Sequence, residues 1–480
     1  MLRASTHIVV CEARYRDGAI VHIGFRHTGM KLERVDRVFK SISSTLVVFG
    51  VACVACGQAN DASERVLESD GSDASGAGEL DSVRSEASAA RGDCDVAGGA
   101  DCLAACPDAN TDGREIWLQS FSDGTRELSS VATDRDANVL IASSGAELKK
   151  LSPSGALVWA KPFGTLVAAD AAGNVYAAGT LTTALAIDTL TLAPSDASDA
   201  YLVKLSPAGD VIYGNVFPAA GTETLLGLAV DANGAGVISG SSLGLVKFDS
   251  EGGVAWRRAF AGHVALDSAG NVALTGGLQG SVDFGGGSLT SAGGEDVFVA
   301  ELDPAGNHLF SRAFGDAGTS QRGEAVAFDA DDQLLVSGVL DGVVDFGLGE
   351  LAPRAGACPS EVGCKLAGFV AKFDQSGNAL FSVTKGPMRA FSGIASNANG
   401  DVFVSGATPG GVSPYRIPLL VALDANGAEL WRETEWPESG IGSGRALAVD
   451  ACGAVIWSLS ARPDLSTDEA PYLAKLSPKL

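Results

Sequence analysis

Three short signatures each occur seven times between Gly113 and Leu480, and they run out of phase with one another. The first is an apolar pair, an Asp or Asn, a turn rich in Gly and Asn, and a β-prone run. It is centred on Asp134, Asp170, Asp231, Asp267, Asp329, Asn397 and Asp450. The second is an apolar run ending at Leu151, Leu205, Phe248, Leu302, Phe373, Leu423 or Leu476 and entering a turn. The third is a glycine with an aromatic four residues on: Gly113/Trp117, Gly155/Trp159, Gly209/Tyr213, Gly252/Trp256, Gly306/Phe310, Gly377/Phe381 and Gly427/Trp431. The stretch Asp296 to Phe314, DVFVAELDPAGNHLFSRAF, joins the last two. A strand through Val297, Val299 and Leu302 meets the turn Asp303-Pro-Ala-Gly306, and Leu309 and Phe310 open the next strand. Pro presets φ in such a turn, Gly accepts positive φ, and Asp bonds back to the backbone.

The phase of the signatures constrains the fold more than their number. The series opens on the third signature, GREIWLQSF, and closes on the second, YLAKLSPKL, so each end carries the piece the other lacks. A solenoid needs dissimilar capping units at its ends, and none is visible. A ring uses the two halves as one unit and removes both open edges. The expectation is an all-β, seven-bladed β-propeller of four-stranded antiparallel blades over residues 113–480. The N-terminal strand at Trp117 completes the blade that ends at Leu476. The steps from Asp134 to Asp170 and from Asp231 to Asp267 just hold four short strands. Those from Asp170 to Asp231 and from Asp267 to Asp329 are longer. The surplus falls between strands two and three, where Val282-Asp-Phe-Gly285 and Val344-Asp-Phe-Gly347 recur, and it predicts hairpin or loop extensions. Units two, four, five and six carry the elongated loops. A composition of 46% hydrophobic residues, 6% aromatics and 61 glycines suits cores of Val, Leu and Ala joined by Gly turns.

The D-x-x-G-N-V turns (Asp170 to Val175, Asp267 to Val272), the Asp-Phe-Gly segments and F-V-A-K-x-D-x-x-G (Phe369 to Gly377) resemble the bacterial beta-propeller repeat (SBBP) family. Its members are secreted proteins and surface lipoproteins. The resemblance implies a propeller and carries almost no information about activity.

The N-terminal part reads as an export signal. Lys31, Arg34, Arg37 and Lys40 precede an apolar run from Ile42 to Cys53, followed by Val54-Ala55-Cys56-Gly57. A positive segment, an apolar segment and small residues before a Cys are the pattern of a secretory signal, here similar to that of bacterial lipoproteins. Residues 30–56 are the expected signal peptide and Cys56 the lipidated residue, with Cys53 as runner-up. Residues 1–29 then read as an upstream extension that is not native. Residues 57–112, rich in Ser, Ala, Gly, Asp and Glu, cannot bury enough apolar surface to offset ordering and read as a disordered tether.

The chemistry-bearing residues are few. Removal of the signal leaves His263 and His308 as the histidines of the mature chain, too few for a transition-metal site or a His-dependent triad. Asp-Phe-Gly lacks the other kinase motifs. The recurring Trp residues resemble the docking tryptophans of quinoprotein propellers, but no carboxylate cluster marks a quinone site. The recurring Asp reads as a hairpin cap and no cofactor is expected. Calcium is the alternative, at Asp329-Ala-Asp331-Asp332, at Asp134 to Asn138, or at Asp108 to Gly113, where Gln119 stands in place of a bidentate Glu. Lys150, Lys204, Lys247, Lys372 and Lys475 share one repeat position, with Glu301 and Ala422 as exceptions, and read as a solvated blade face.

Of nine cysteines, six remain beyond the signal: Cys94, Cys102, Cys106, Cys358, Cys364 and Cys452. An even number in an exported chain points to disulfides. Cys358 and Cys364 would staple the longest insertion, and Cys452 would reach a tether cysteine. The net charge of −24 disfavours nucleic acid as a partner. The function expected is that of a monomeric lipoprotein anchored by its lipid to the bacterial cell envelope, in the outer membrane. Its propeller would bind or scaffold a protein or glycan without turnover. The competing classes are a carbohydrate-active or other hydrolytic or lyase propeller enzyme, and a passive spacer of the envelope.

Overall fold

The computed structural model describes residues 7–14, 20–27, 115–121, 127–195, 197–353, 366–387, 390–409, 416–434, 441–462 and 470–477. The chain falls into two compact units, residues 1–86 and 87–480. In the first, His7–Arg14 pairs antiparallel with Ile20–His27. The signal segment, the tether and Cys56, Cys94, Cys102, Cys106, Cys358 and Cys364 lie outside the described residues.

The second unit is a seven-bladed β-propeller. Its strands form seven four-stranded antiparallel sheets, with no helix among the described residues. The inner strands of the blades are Leu128–Thr133, Leu166–Ala169, Leu225–Val230, His263–Leu266, Gln321–Phe328, Ala390–Ser396 and Ile441–Val449. Each packs beside the next around the axis, and Ile441–Val449 packs beside Leu128–Thr133 to complete the circle.

Closure follows the sequence expectation. Glu115–Ser120 pairs with Ala470–Leu476 as the outer strand of blade seven, with Trp117 opposite Lys475 and Glu115 opposite Leu476. The second signature ends the third strand of every blade, at Leu151, Leu205, Phe248, Leu302, Phe373, Leu423 and Leu476.

Burial explains the strand composition. The second and third strands are covered on both faces by neighbouring blades, so Val139–Ser143, Asp199–Leu205 and Asp296–Leu302 are buried throughout and read as continuous apolar runs. The outer strands Leu157–Lys161, Val254–Arg258 and Glu429–Glu433 are half-exposed and less uniform.

The third signature is the seam between blades. The outer-strand aromatic of one blade lies on the turn glycine of the next. Trp117 Nε1 donates to the Pro153 carbonyl at 2.9 Å, Trp159 to Pro207 at 3.2 Å and Trp256 to Pro304 at 2.9 Å. In blade two, Asn215 Nδ2 donates to the Gly252 carbonyl at 2.8 Å. A Cβ on Gly377 would come within 2.5 Å of Phe310, and Gly377 also has φ of +74°, so space and backbone both demand glycine there.

The surplus residues of blades two, four and five are hairpins between strands two and three. They are Leu185–Ile187 with Leu190–Leu192, Ser281–Asp283 with Ser288–Thr290, and Val344–Asp345 with Glu350–Leu351. The two Asp-Phe-Gly segments fasten such hairpins. Asp283 Oδ1 accepts from the Gly285 and Gly287 amides, and Asp345 Oδ1 from Gly347 and Gly349. Phe284 is buried against Phe298 of its own blade and Phe260 at the end of blade three, and Phe346 against Phe369 of its own blade and Phe314 of blade four. The corresponding loop of blade six, residues 410–415, lies outside the described residues.

Candidate functional site

The two ends of the wheel are built differently. One end carries the turns joining strands one to two and three to four. The recurring Asp sits here and caps its own hairpin, as expected. Asp134 Oδ1 accepts from the amides of Asp136 and Asn138, each at 3.0 Å, and Asp170, Asp329 and Asp450 repeat the pattern.

The repeat-position lysines correct the sequence reading. They do not form a solvated face. Lys150, Lys204, Lys247, Lys372 and Lys475 are all buried. Each stands next to the register shift at the end of its third strand, except Lys475, which faces the shift in its partner strand. A bulge at that point re-aims a side chain. Lys150 Nζ lies 2.8 Å from Asp134 Oδ2, Lys372 2.6 Å from Asp329, Lys475 2.7 Å from Asp450 and Lys204 3.6 Å from Asp170. Lys150 also donates to the Pro207 carbonyl at 3.1 Å, and Lys475 to Pro153 at 3.4 Å. Those carbonyls also accept from the docked Trp159 and Trp117, so at these two seams one turn carbonyl of the next blade takes two donors. This face is internal bracing. Among the described residues, no group of three or more His, Cys, Asp or Glu is placed to hold a metal ion. His263 lies on the inner and His308 on the outer strand of blade four, so the two histidines do not converge.

The opposite end carries the cleft. It has a volume of about 360 Å³ and is formed where the inner strands of blades five, six and seven begin, together with the ends of second strands and starts of third strands. Its charged lining is Glu295, Arg322, Glu324, Asp341, Arg416 and Arg445. Arg322 donates Nε and Nη2 to Glu324 Oε1 at 2.9 and 2.8 Å, and its Nη1 lies 3.7 Å from Glu295. Arg445 pairs with Glu127 across the seam from blade seven to blade one. Arg416 is exposed, and among the described residues it has no ion pair. Three arginines thus face three carboxylates, a balanced lining on a strongly acidic chain.

Uncharged donors and acceptors complete the cleft. Ser392 Oγ donates to the Gly444 carbonyl at 2.9 Å. Gln321 is fully buried, and its Nε2 donates to Thr319 Oγ1 at 2.6 Å. Its Oε1 has no partner among the described residues. A buried acceptor left in that state has lost its water without replacement, which favours a ligand donor beside it. His263, on the neighbouring inner strand, is held neutral chiefly by burial, with Glu324 pulling the other way. Sequence reasoning missed this cleft, because its lining comes from blades five, six and seven, with Glu295 of blade four, at positions outside every signature. Cys452, on the first turn of blade seven, is disulfide-bonded.

No protein-family model matches the chain, and no curated protein matches it. Among solved structures it is similar to BamB from Moraxella catarrhalis, with 14% identity over 73% of this chain and 86% of that one, at a TM-score of 0.37. It is also similar to the WD40 domain of Pan2 from Neurospora crassa, with 11% identity over 77% and 97% of the chains, at a TM-score of 0.44. The C-terminal WD40 domain of Sif2 gives 9% identity over 76% and 98%, at 0.39.

Proposed function

We propose that this chain is an exported lipoprotein, anchored to the cell envelope through Cys56, whose propeller binds a polar ligand at the cleft between blades five, six and seven. The cleft carries the reading. It offers both signs of charge, exposed Ser392 and Arg416, and a buried Gln321 acceptor awaiting a donor. Such a lining suits a neutral or zwitterionic ligand dense in hydroxyls or amides, which are the chemistries of a glycan or of a peptide main chain. Arg322 already engages Glu324 and Glu295, so these carboxylates are arranged to hold a cationic side chain.

The test is a binding screen of soluble glycans and envelope proteins against the full chain, repeated with Arg416→Glu and Gln321→Leu. The expected result is a ligand bound without turnover, weakened at least tenfold by either change. Hydrolysis or elimination of an offered polymer would move the protein to the enzyme class. Absence of any ligand would leave it a spacer. The anchor is checked separately: Cys56→Ala abolishes labelling by a fatty-acid probe and moves the protein out of the membrane fraction.

A further inference from the structure

Blade four breaks the charge rule of its sisters. Five blades place a buried lysine opposite the first-turn Asp, and blade six neutralises both positions as Asn397 and Ala422. Blade four keeps the acid, Asp267, and places Glu301 where the lysine belongs. The register is that of the sisters: Glu301 pairs with Ala273 and Phe310, as Lys372 pairs with Leu335 and Phe381. Its side chain therefore aims into the space that holds an ammonium elsewhere.

Glu301 is 3% exposed, and among the described residues its side chain makes no hydrogen bond and no ion pair. Two more carboxylates bear on it. Asp267 is capped by the Asn271 amide and Nδ2, both at 2.7 Å. Asp332, from the next blade, accepts from the backbone amide and Oγ of Ser268. Lys247 of blade three answers to Asp231 and Asp267. Buried beside Asp267 and Asp332, the Glu301 carboxylate has no counter-ion among the described residues.

We propose that blade four binds a divalent, oxygen-seeking cation of the calcium class in the place its sisters give to a lysine ammonium, using Asp267, Glu301 and the Gln375 carbonyl. Gln375 stands at the repeat position of Pro153 and Ser250, whose carbonyls accept from Lys475 and Lys204. One lysine balances one Asp in the sisters. Two carboxylates here call for two positive charges. The site needs two acids and a carbonyl, with water completing the shell, and so does not depend on a three-acid cage. Calcium tolerates such an irregular shell, whereas magnesium demands a stricter octahedron. The cation would restore the brace from blade four to blade five.

The experiment titrates calcium chloride into the chelator-treated full chain at pH 7.5, by calorimetry and thermal unfolding. The expected result is one site with Kd on the order of 10⁻⁴–10⁻³ M, and a rise in Tm of about 2–4 °C at ten times that concentration. Glu301→Lys abolishes the heat and raises the calcium-free Tm, because it installs the sister lysine. Should that variant fail to fold, Glu301→Gln, which removes one charge and keeps the shape, weakens binding at least tenfold. No heat from the unsubstituted chain, or heat unchanged in the variants, would overturn the proposal. A Tm that answers to pH and not to calcium would do the same, with a proton as the site's occupant.

Discussion

Blades one and four fold the same hairpins around opposite charges. In blade one, Lys150 joins Asp134 of its own blade to Pro207 of the next. In blade four, Glu301 faces Asp267 across the same space. The strands, bulge and docked aromatic are the same in kind, so the backbone pattern does not need the ion pair. What the pair changes is how firmly one blade is held to its neighbour. Blade six makes the same point, since Asn397 and Ala422 dispense with both charges. A buried pair of this kind is weak evidence of added stability over a neutral pair, but losing one partner is costly.

The sharpest way to break the comparison is Lys372→Met in blade five. It strands Asp329, whose carboxylate is 1% exposed, without its cation at 2.6 Å. Denaturant unfolding should record a loss of about 3–5 kcal/mol. The double change Asp329→Asn with Lys372→Met, which imitates blade six, should recover most of it.

Next comes Asn397→Asp. Asn397 Nδ2 donates to Asp401 Oδ2 at 3.0 Å, so the change sets two carboxylates face to face without a lysine. A loss of about 2 kcal/mol is expected, reversed in part by adding Ala422→Lys. A loss below about 0.5 kcal/mol would mean that water reaches the site.

The third concerns pH. The Glu301 carboxyl, pushed up to about 7 from an ordinary 4.5, holds its proton more tightly in the folded than in the unfolded chain. Its contribution is whole below about pH 4.5 and is lost as pH climbs through about 7. Chelator-treated protein should therefore lose about 1–2 kcal/mol across that window, and Glu301→Gln should flatten the slope.

The smallest effect is expected from Trp256→Phe. It removes the donor to the Pro304 carbonyl and leaves the ring contact, at a cost of about 0.5–1 kcal/mol.

The wheel was legible because its signatures mark turns and docked aromatics, which are local or repeat at fixed positions. The complementary fragments around Trp117 and Leu476 then gave closure, and the structure pairs them. The lysines were misread because a lysine is ordinarily a surface residue. Their burial depends on a bulge that the pattern of residue types does not reveal. The same positions held the information in another form: blade six loses its Asp and its Lys together, which is the mark of a pair. The cleft was not legible at all. Ser392 and Arg416 of blade six and Arg445 of blade seven belong to no signature and meet only when neighbouring blades are set side by side.

The strand that seals the wheel is among the first of its strands to be synthesised, and its partners, ending at Leu476, are among the last. Glu115–Ser120 must therefore wait, unpaired, while six blades assemble behind it. Until the final residues arrive, the nascent molecule is an open arc with a bare sheet edge at its finish, and that interval is when it is most exposed to the wrong partner.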